Sequence, residues 1–158
     1  KVNYPLAYYG AYFGIRANAF SYEKMCQGKE KLQYYINDYT RRSSSLTNKE
    51  QDEMKDMHIV QEMYARGFEF MPIDIYKAHS RLFQIIDGKI MPSLGSIDGM
   101  GDKAAEAMLE AAKDGPFLSR DDLRSRSKAP QNVIDKMGEL GLLGSLPQSN
   151  QLSLFDFM

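Results

Sequence analysis

Gly99, Met100 and Gly101 sit in LGSIDGMGDKAAEAML, residues 94–109, after an apolar Ile97 and before a run in which Ala105 and Met108 recur at helical spacing. Glycines tolerate positive φ and let a partner approach the backbone closely. A tight turn feeding a helix start points unpaired N–H groups outward, where the helix dipole favours an anion. Lys103, in the first turn, adds a charged donor at the same place. The chemistry on offer is the gripping of a phosphate, not the making or breaking of a bond. A plain turn between helices would contain the same glycines, so the triplet alone is weak evidence.

A second candidate lies in SRDDLRSRSKAPQNVIDKMGELGLLGSLP, where Arg120, Arg124, Arg126 and Lys128 outnumber Asp121 and Asp122. This is the one compact basic spot downstream of the glycines, and its plain alternative is a solvated helix face. A third is the end of the chain, Gln151-Leu152-Ser153-Leu154-Phe155. Extended, Leu152 and Leu154 project to one side with the Phe155 ring beside them. Such a segment either packs on its own domain as an edge strand or inserts into a pocket on another protein. Buried there, each large side chain contributes roughly 1.5–3 kcal/mol before ordering costs, enough for a micromolar contact.

The rest of the composition excludes much else. Twenty basic residues against twenty-one acidic ones give a formal charge of −1, so any contact with nucleic acid is local. From Ile97 to Met158 seven Lys/Arg stand against ten Asp/Glu, a net of −3, which predicts weak binding by that part alone. The single cysteine, Cys26, rules out an internal disulfide and suits a reducing cytoplasm. His58 and His79, the only histidines, argue against zinc and read as ordinary structural hydrogen-bonding groups. No stretch approaches the ~20 apolar residues of a membrane span, and VNYPLAYYGAYFGI does not resemble a secretory leader. A chain starting at Lys1 reads as an excerpt of a longer protein.

The elements that position these residues are mainly helical. Pro5 opens a helix through LAYYGAYFGIRA, with Tyr4, Tyr8, Tyr12 and Ile15 on one stripe and Leu6, Tyr9 and Phe13 on another. These aromatics are expected in the core rather than as base-stacking platforms. Ser21 caps a short helix ended by Gly28, and Leu32, Tyr35 and Tyr39 mark an amphipathic one. Thr47 and Glu50 form a capping box opening a helix that runs to Gly67. On it Asp52, Glu53 and Asp56 read as a solvated face, not a metal site. Phe68 and Phe70 alternate as in a strand, and Asp87-Gly88 between apolar runs predicts a β-hairpin near 82–91. A subdomain boundary is placed near Pro92. Beyond it come a helix over 104–113, a short one capped by Ser119 and Asp122, and a third over 132–140 ended by Gly141. From Ser145 a loose tail is expected.

The pattern Ile97-x-Gly99-Met100-Gly101-x-Lys103-x-Ala105-x-x-Met108 resembles the helix-hairpin-helix motif, which grips DNA backbone phosphates without reading sequence. That resemblance implies phosphate binding by the amides of Gly99, Met100 and Gly101 with Lys103 beside them, and a possible monovalent cation on the carbonyls of Gly95, Ile97 and Met100. Asp98 stands where the family more often has Pro or a basic residue, and its charge would oppose phosphate. The basic segment and Val133, Ile134, Met137, Leu140 and Leu143 look like a second unit of a paired arrangement, with ELGLLG as its turn, used mainly for packing. Gln151-Leu152-Ser153-Leu154-Phe155 is similar to the motif by which bacterial polymerases and repair proteins bind the sliding clamp, the beta subunit; there the Gln amide binds the pocket rim and the Leu-Phe pair fills the cleft.

The order of parts resembles the C-terminal end of the PolC-type DNA polymerase III alpha subunit family. NYPLAYYGAYFGIRANAF, TNKEQDEMKDMHIVQEMYARGFEF, IDIYKAHSRLF, GPFLSRDDL and SLPQSNQLSLF carry the likeness. It implies distal fingers over 1–90, a duplex-binding module over 91–146 and a clamp tether over 147–158. The partners implied are double-stranded DNA, the clamp and the remainder of the polymerase. The palm, with its carboxylates and Mg2+, has no match here, so this stretch would have no catalytic residue and no cofactor of its own. Arg16, Lys24, Lys29 and Lys31 are weaker candidates for nucleic-acid contact. Two alternatives stay open: the helix-hairpin-helix end of a repair enzyme, and a clamp-binding adaptor with no DNA role.

Overall fold

In the computed structural model, residues 5–15 and 20–148 are described. They form seven α-helices and one two-stranded antiparallel sheet, the expected class. In chain order come α1 (Pro5–Ile15), α2 (Tyr22–Met25), α3 (Lys29–Arg41), α4 (Asn48–Ala65), β1 (Gln84–Ile86), β2 (Lys89–Met91), α5 (Asp102–Lys113), α6 (Arg120–Ser127) and α7 (Gln131–Glu139). Short 3-10 turns occupy Ser43–Ser45 and Leu94–Ser96.

Local chemistry sets most element ends. Thr47 Oγ1 accepts from the Glu50 N–H and Glu50 Oε1 accepts from the Thr47 N–H, both at 3.1 Å, so the capping box is complete. Asp87 and Gly88 both take positive φ, +52° and +78°, as a two-residue hairpin turn requires. The register pairs Gln84 with Met91 and Ile86 with Lys89. Phe68 and Phe70 do not form the expected strand. Phe70 makes one isolated parallel bridge to Ile90, with the Ile90 N–H on Glu69 O at 3.2 Å and the Met71 N–H on Ile90 O at 2.8 Å, and the next donor of that ladder would be residue 92, a proline with no N–H.

Apolar burial falls into two clusters. The first joins α1, α3 and α4 through Tyr9, Phe13, Leu32, Ile36, Met57, Val60 and Met63. The second joins α5, α6 and α7 through Met108, Leu123, Val133, Ile134 and Met137, and takes in Ile73, Ile75 and Ala78 from before Pro92. In α1, Tyr9 and Phe13 are fully buried as expected, whereas Tyr8 is 39% exposed and Ile15 86%. Among the described residues no helix is long and apolar enough to cross a membrane.

The expected solvated face of α4 is a correction. Asp52 is exposed, but Glu53 and Asp56 are buried. Glu53 Oε2 takes both the Lys24 ammonium at 2.8 Å and the Tyr39 hydroxyl at 2.7 Å, which compensates its removal from water. Burial holds the Tyr39 hydroxyl up to about 12. Burial alone would lower the Lys24 ammonium, but the hydrogen bonds and charge of Glu53 and Tyr39 hold it above its ordinary value. His79 is structural, its Nδ1 accepting from the N–H groups of Arg81 and Leu82 at 3.0 Å each. His58 is exposed.

Candidate nucleic-acid interface

The glycine hairpin is built from short-range bonds. The Leu94–Ser96 turn delivers the chain into Ile97, whose carbonyl accepts from the Met100 N–H at 3.0 Å. Gly99, at φ +85°, occupies the position in that turn where an L side chain is strained. Gly101 then becomes the N-cap of α5, with its carbonyl accepting from the Ala105 N–H at 2.9 Å and no side chain covering the helix start. Gly101, Asp102 and Lys103 are exposed, so the first-turn amides of α5 face water. Met100 differs from expectation. Its amide is committed inside the turn and its side chain is buried, which leaves Gly101, Asp102 and Lys103 as the outward amides beside Gly99.

Asp98 is turned away from that surface. Ser21 Oγ donates to Asp98 Oδ2 at 2.9 Å, and burial raises the carboxyl above the usual range, against the lowering pull of Ser21 and Lys24. Gly95, Ile97 and Met100, the residues whose carbonyls would hold a cation, line one cleft with Phe20, Glu53 and Asp98. No cluster of three or more His, Cys, Asp or Glu side chains suited to a metal occurs among the described residues.

The second basic segment divides in two. Ser119 Oγ accepts from the Asp122 N–H at 2.9 Å and starts α6, and Lys128 closes it in the left-handed region at φ +59°. Residues 128–130 are therefore the turn between α6 and α7. ELGLLG follows α7 instead of joining two helices, and it buries Leu142 and Leu143. Arg124 and Lys128 are exposed and line an open groove with Asp121, Ser125 and Pro130. Arg120 lies against α7, where a side chain on Gly138 would begin 2.6 Å from its Nη1. Arg126, expected among the phosphate contacts, instead closes the end of α5. Its guanidinium donates to the carbonyls of Ala111, Gly115 and Pro116 and to Asp122 Oδ2, and it stacks 4.5 Å above the Phe117 ring. Arg81, which no motif in the sequence announces, reaches Asp102 at 3.7 Å and Glu106 at 3.5 Å and brings a cation beside the start of α5.

The two helix starts are neighbours. A side chain on Gly99 would begin 3.5 Å from Val133 Cγ2, in the first turn of α7. The start of α7, capped by Pro130 without a side-chain bond, thus lies within about one helical turn of the hairpin. The chain leaves beside α6, where the carbonyls of Pro147 and Gln148 accept from the N–H groups of Arg120 and Asp121 at 2.8 and 3.1 Å. This anchors the first part of the expected loose tail. Residues 151–155 lie outside the described residues, as do Tyr4 and Arg16.

The helix-hairpin-helix motif family matches residues 67–152. The PolC-type DNA polymerase III of Streptococcus pyogenes serotype M5 (strain Manfredo) is 40% identical over 99% of this chain, and that of Streptococcus agalactiae serotype III (strain NEM316) is 39% identical over the same share. In each case the chain spans 11% of the relative's length. With an exposed glycine turn, a helix start without a side-chain cap bond and a match over more than half its length, this chain belongs to the helix-hairpin-helix motif family, in a form that fits a C-terminal region of a PolC-type DNA polymerase III.

Proposed function

We propose that this chain is the part of a cytoplasmic replicative DNA polymerase that holds duplex product and ties the enzyme to the sliding clamp. The observation that carries the reading is the pair of adjacent, exposed helix starts, at Gly101 and at Pro130, with Lys103, Arg124 and Lys128 around them. Amides of Gly99, Gly101, Asp102 and Lys103 would take one backbone phosphate, and the 128–131 turn another, without reading bases. A monovalent cation on the carbonyls of Gly95, Ile97 and Met100 would sit on the cleft side of the same hairpin. With a net charge of −3 over 97–158, this contact is weak by itself.

The second contact supplies residence. Gln151, Leu152, Ser153, Leu154 and Phe155 would enter the clamp pocket from a chain anchored at Gln148. Two weak contacts on one molecule raise each other's effective concentration. Nucleotidyl transfer and its Mg2+ would belong to a palm elsewhere in the polymerase, with residues 1–90 as distal fingers, 91–146 as the duplex holder and 147–158 as the tether.

The test is binding of this chain, intact and lacking 151–158, to labelled duplex in a salt series and to purified clamp. Duplex affinity that falls steeply with salt in both forms, with clamp binding only in the intact form, supports the reading. Clamp binding without salt-dependent duplex binding would leave an adaptor. Clamp binding unaffected by the deletion would remove the tether.

A further inference from the structure

The smallest helix of the fold makes the most distant connections. Around α2, Ser21 Oγ donates to Asp98 in the hairpin at 2.9 Å, and Glu23 Oε2 accepts from Lys136 on α7 at 3.1 Å. Lys24 donates to Glu53 on α4 at 2.8 Å and to Tyr39 on α3 at 2.7 Å, while the Met25 carbonyl accepts from the Tyr64 hydroxyl at 2.8 Å. Tyr22 is buried in the second apolar cluster and Met25 in the first. Four residues and their cap therefore touch both cores, the hairpin and α7.

Two of these bonds bracket the candidate interface. Asp98 immediately precedes Gly99, and Lys136 lies one turn beyond Val133, the residue that Gly99 faces. We infer that Ser21 and Glu23 are positioning residues for duplex binding, which hold the hairpin turn and the start of α7 in one orientation from the helical unit; this rests on the reading that the two helix starts grip phosphates. A carboxylate at Asp98 is otherwise a liability beside an anion. Held by Ser21 it points inward, and the turn is set by the same bond. The Lys24–Glu53–Tyr39 group keeps α2 itself in place, so that the bond to Asp98 comes from a fixed support.

The sign of the effect separates positioning from charge. Removing Asp98's charge by itself brings the site closer to neutral and tightens duplex binding. Removing its hydrogen bond frees the turn and loosens it. D98N keeps an acceptor for Ser21 without the charge, and D98A keeps neither. The experiment measures the affinity of the D98N, D98A, S21A, S21T and E23A chains for a labelled 20-base-pair duplex across a salt series, with G101V and K103A beside them and a thermal melt of each. D98A and S21A are expected to bind about tenfold more weakly, a loss of about one hydrogen bond. D98N and S21T are expected at least as tight as the parent chain, and E23A is expected to weaken binding from the α7 side. D98A and S21A binding as tightly as the parent or tighter, while G101V and K103A lose affinity, overturns the positioning role and leaves the phosphate reading intact. Unchanged affinity in G101V and K103A overturns the phosphate reading itself. Should D98A fail to melt cooperatively, the pairs S21A against S21T and E23A against the parent chain decide the matter on the same terms.

Discussion

Gly99 and Val133 face each other across the base of the hairpin, with 3.5 Å between Val133 Cγ2 and the point where a side chain on Gly99 would begin. The distance is ordinary van der Waals contact, so backbone conformation, not space, requires the glycine. At φ +85° any other residue is strained. Gly101 is the opposite case. Its φ of −77° suits any residue, and nothing lies within 4 Å of a side chain placed there. Folding asks little of that second glycine beyond the modest N-cap preference for glycine, whereas close approach of a ligand to the helix start would require it.

The two glycines should therefore separate in mutagenesis. G99A is expected to lower stability by about 1–3 kcal/mol through backbone strain. G101A is expected to cost less than about 1 kcal/mol at an N-cap position, yet to weaken duplex binding. Urea denaturation and duplex titration of both variants check the split. Equal losses of stability would show that Gly101 is needed for the fold.

The basic residues of the second segment should divide in the same manner. R126A is expected to destabilise the chain by about 2 kcal/mol, because it strips a charged cap from three carbonyls at the end of α5, while the salt dependence of duplex binding stays as in the parent. R124A and K128A are expected to leave the melting temperature unchanged and to lower the salt slope by about 1 each. A slope altered by R126A and not by R124A would reverse the assignment.

Lys24 and Glu53 form a half-shielded pair in which the carboxylate is the more deeply buried partner. K24M leaves that carboxylate with the Tyr39 hydroxyl as its remaining partner and no counter-charge, and is expected to cost about 2–4 kcal/mol. The double variant K24M/E53L is expected to recover most of that loss, since neither charge then remains. Chemical denaturation of the three variants measures it, and a double variant as unstable as K24M would deny the pairing.

Asp98 gives a pH dependence of definite sign. Burial raises its carboxyl above the ordinary value in the folded chain, despite Ser21 and Lys24, with Glu23 and Glu53 adding to the rise. The folded state then binds more protons than the unfolded state between the ordinary carboxylate value and the raised one. Over that window stability falls as pH rises, and above it the loss is constant. D98N lacks this component. Melting temperatures of the parent and D98N across pH 3 to about 7 should diverge in that direction, with D98N gaining on the parent as pH rises. Parallel curves would show that the carboxylate titrates as if exposed.

What could be read from residue order alone was whatever depends on neighbours three or four positions apart. The capping box at Thr47, the Ser119 cap, the Asp87-Gly88 turn and the glycine hairpin are of this kind, because the groups that satisfy one another are adjacent in the chain. The same locality makes the exposed start of α5 legible in the sequence. Tertiary structure decided which charges are paired inside the fold and which stay exposed. Asp98 is withdrawn by a serine 77 residues away, Lys136 is held by a glutamate 113 residues away, and Glu53 is buried by a lysine 29 residues away. Arg126 is drawn to the end of α5 because the carbonyls of Ala111, Gly115 and Pro116 converge there on its fork of donors, and Ile73, Ile75 and Ala78 are drawn across Pro92 because the second core has apolar surface to cover. Such pairings depend on which segments the packed cores bring together, and no spacing along the chain encodes that.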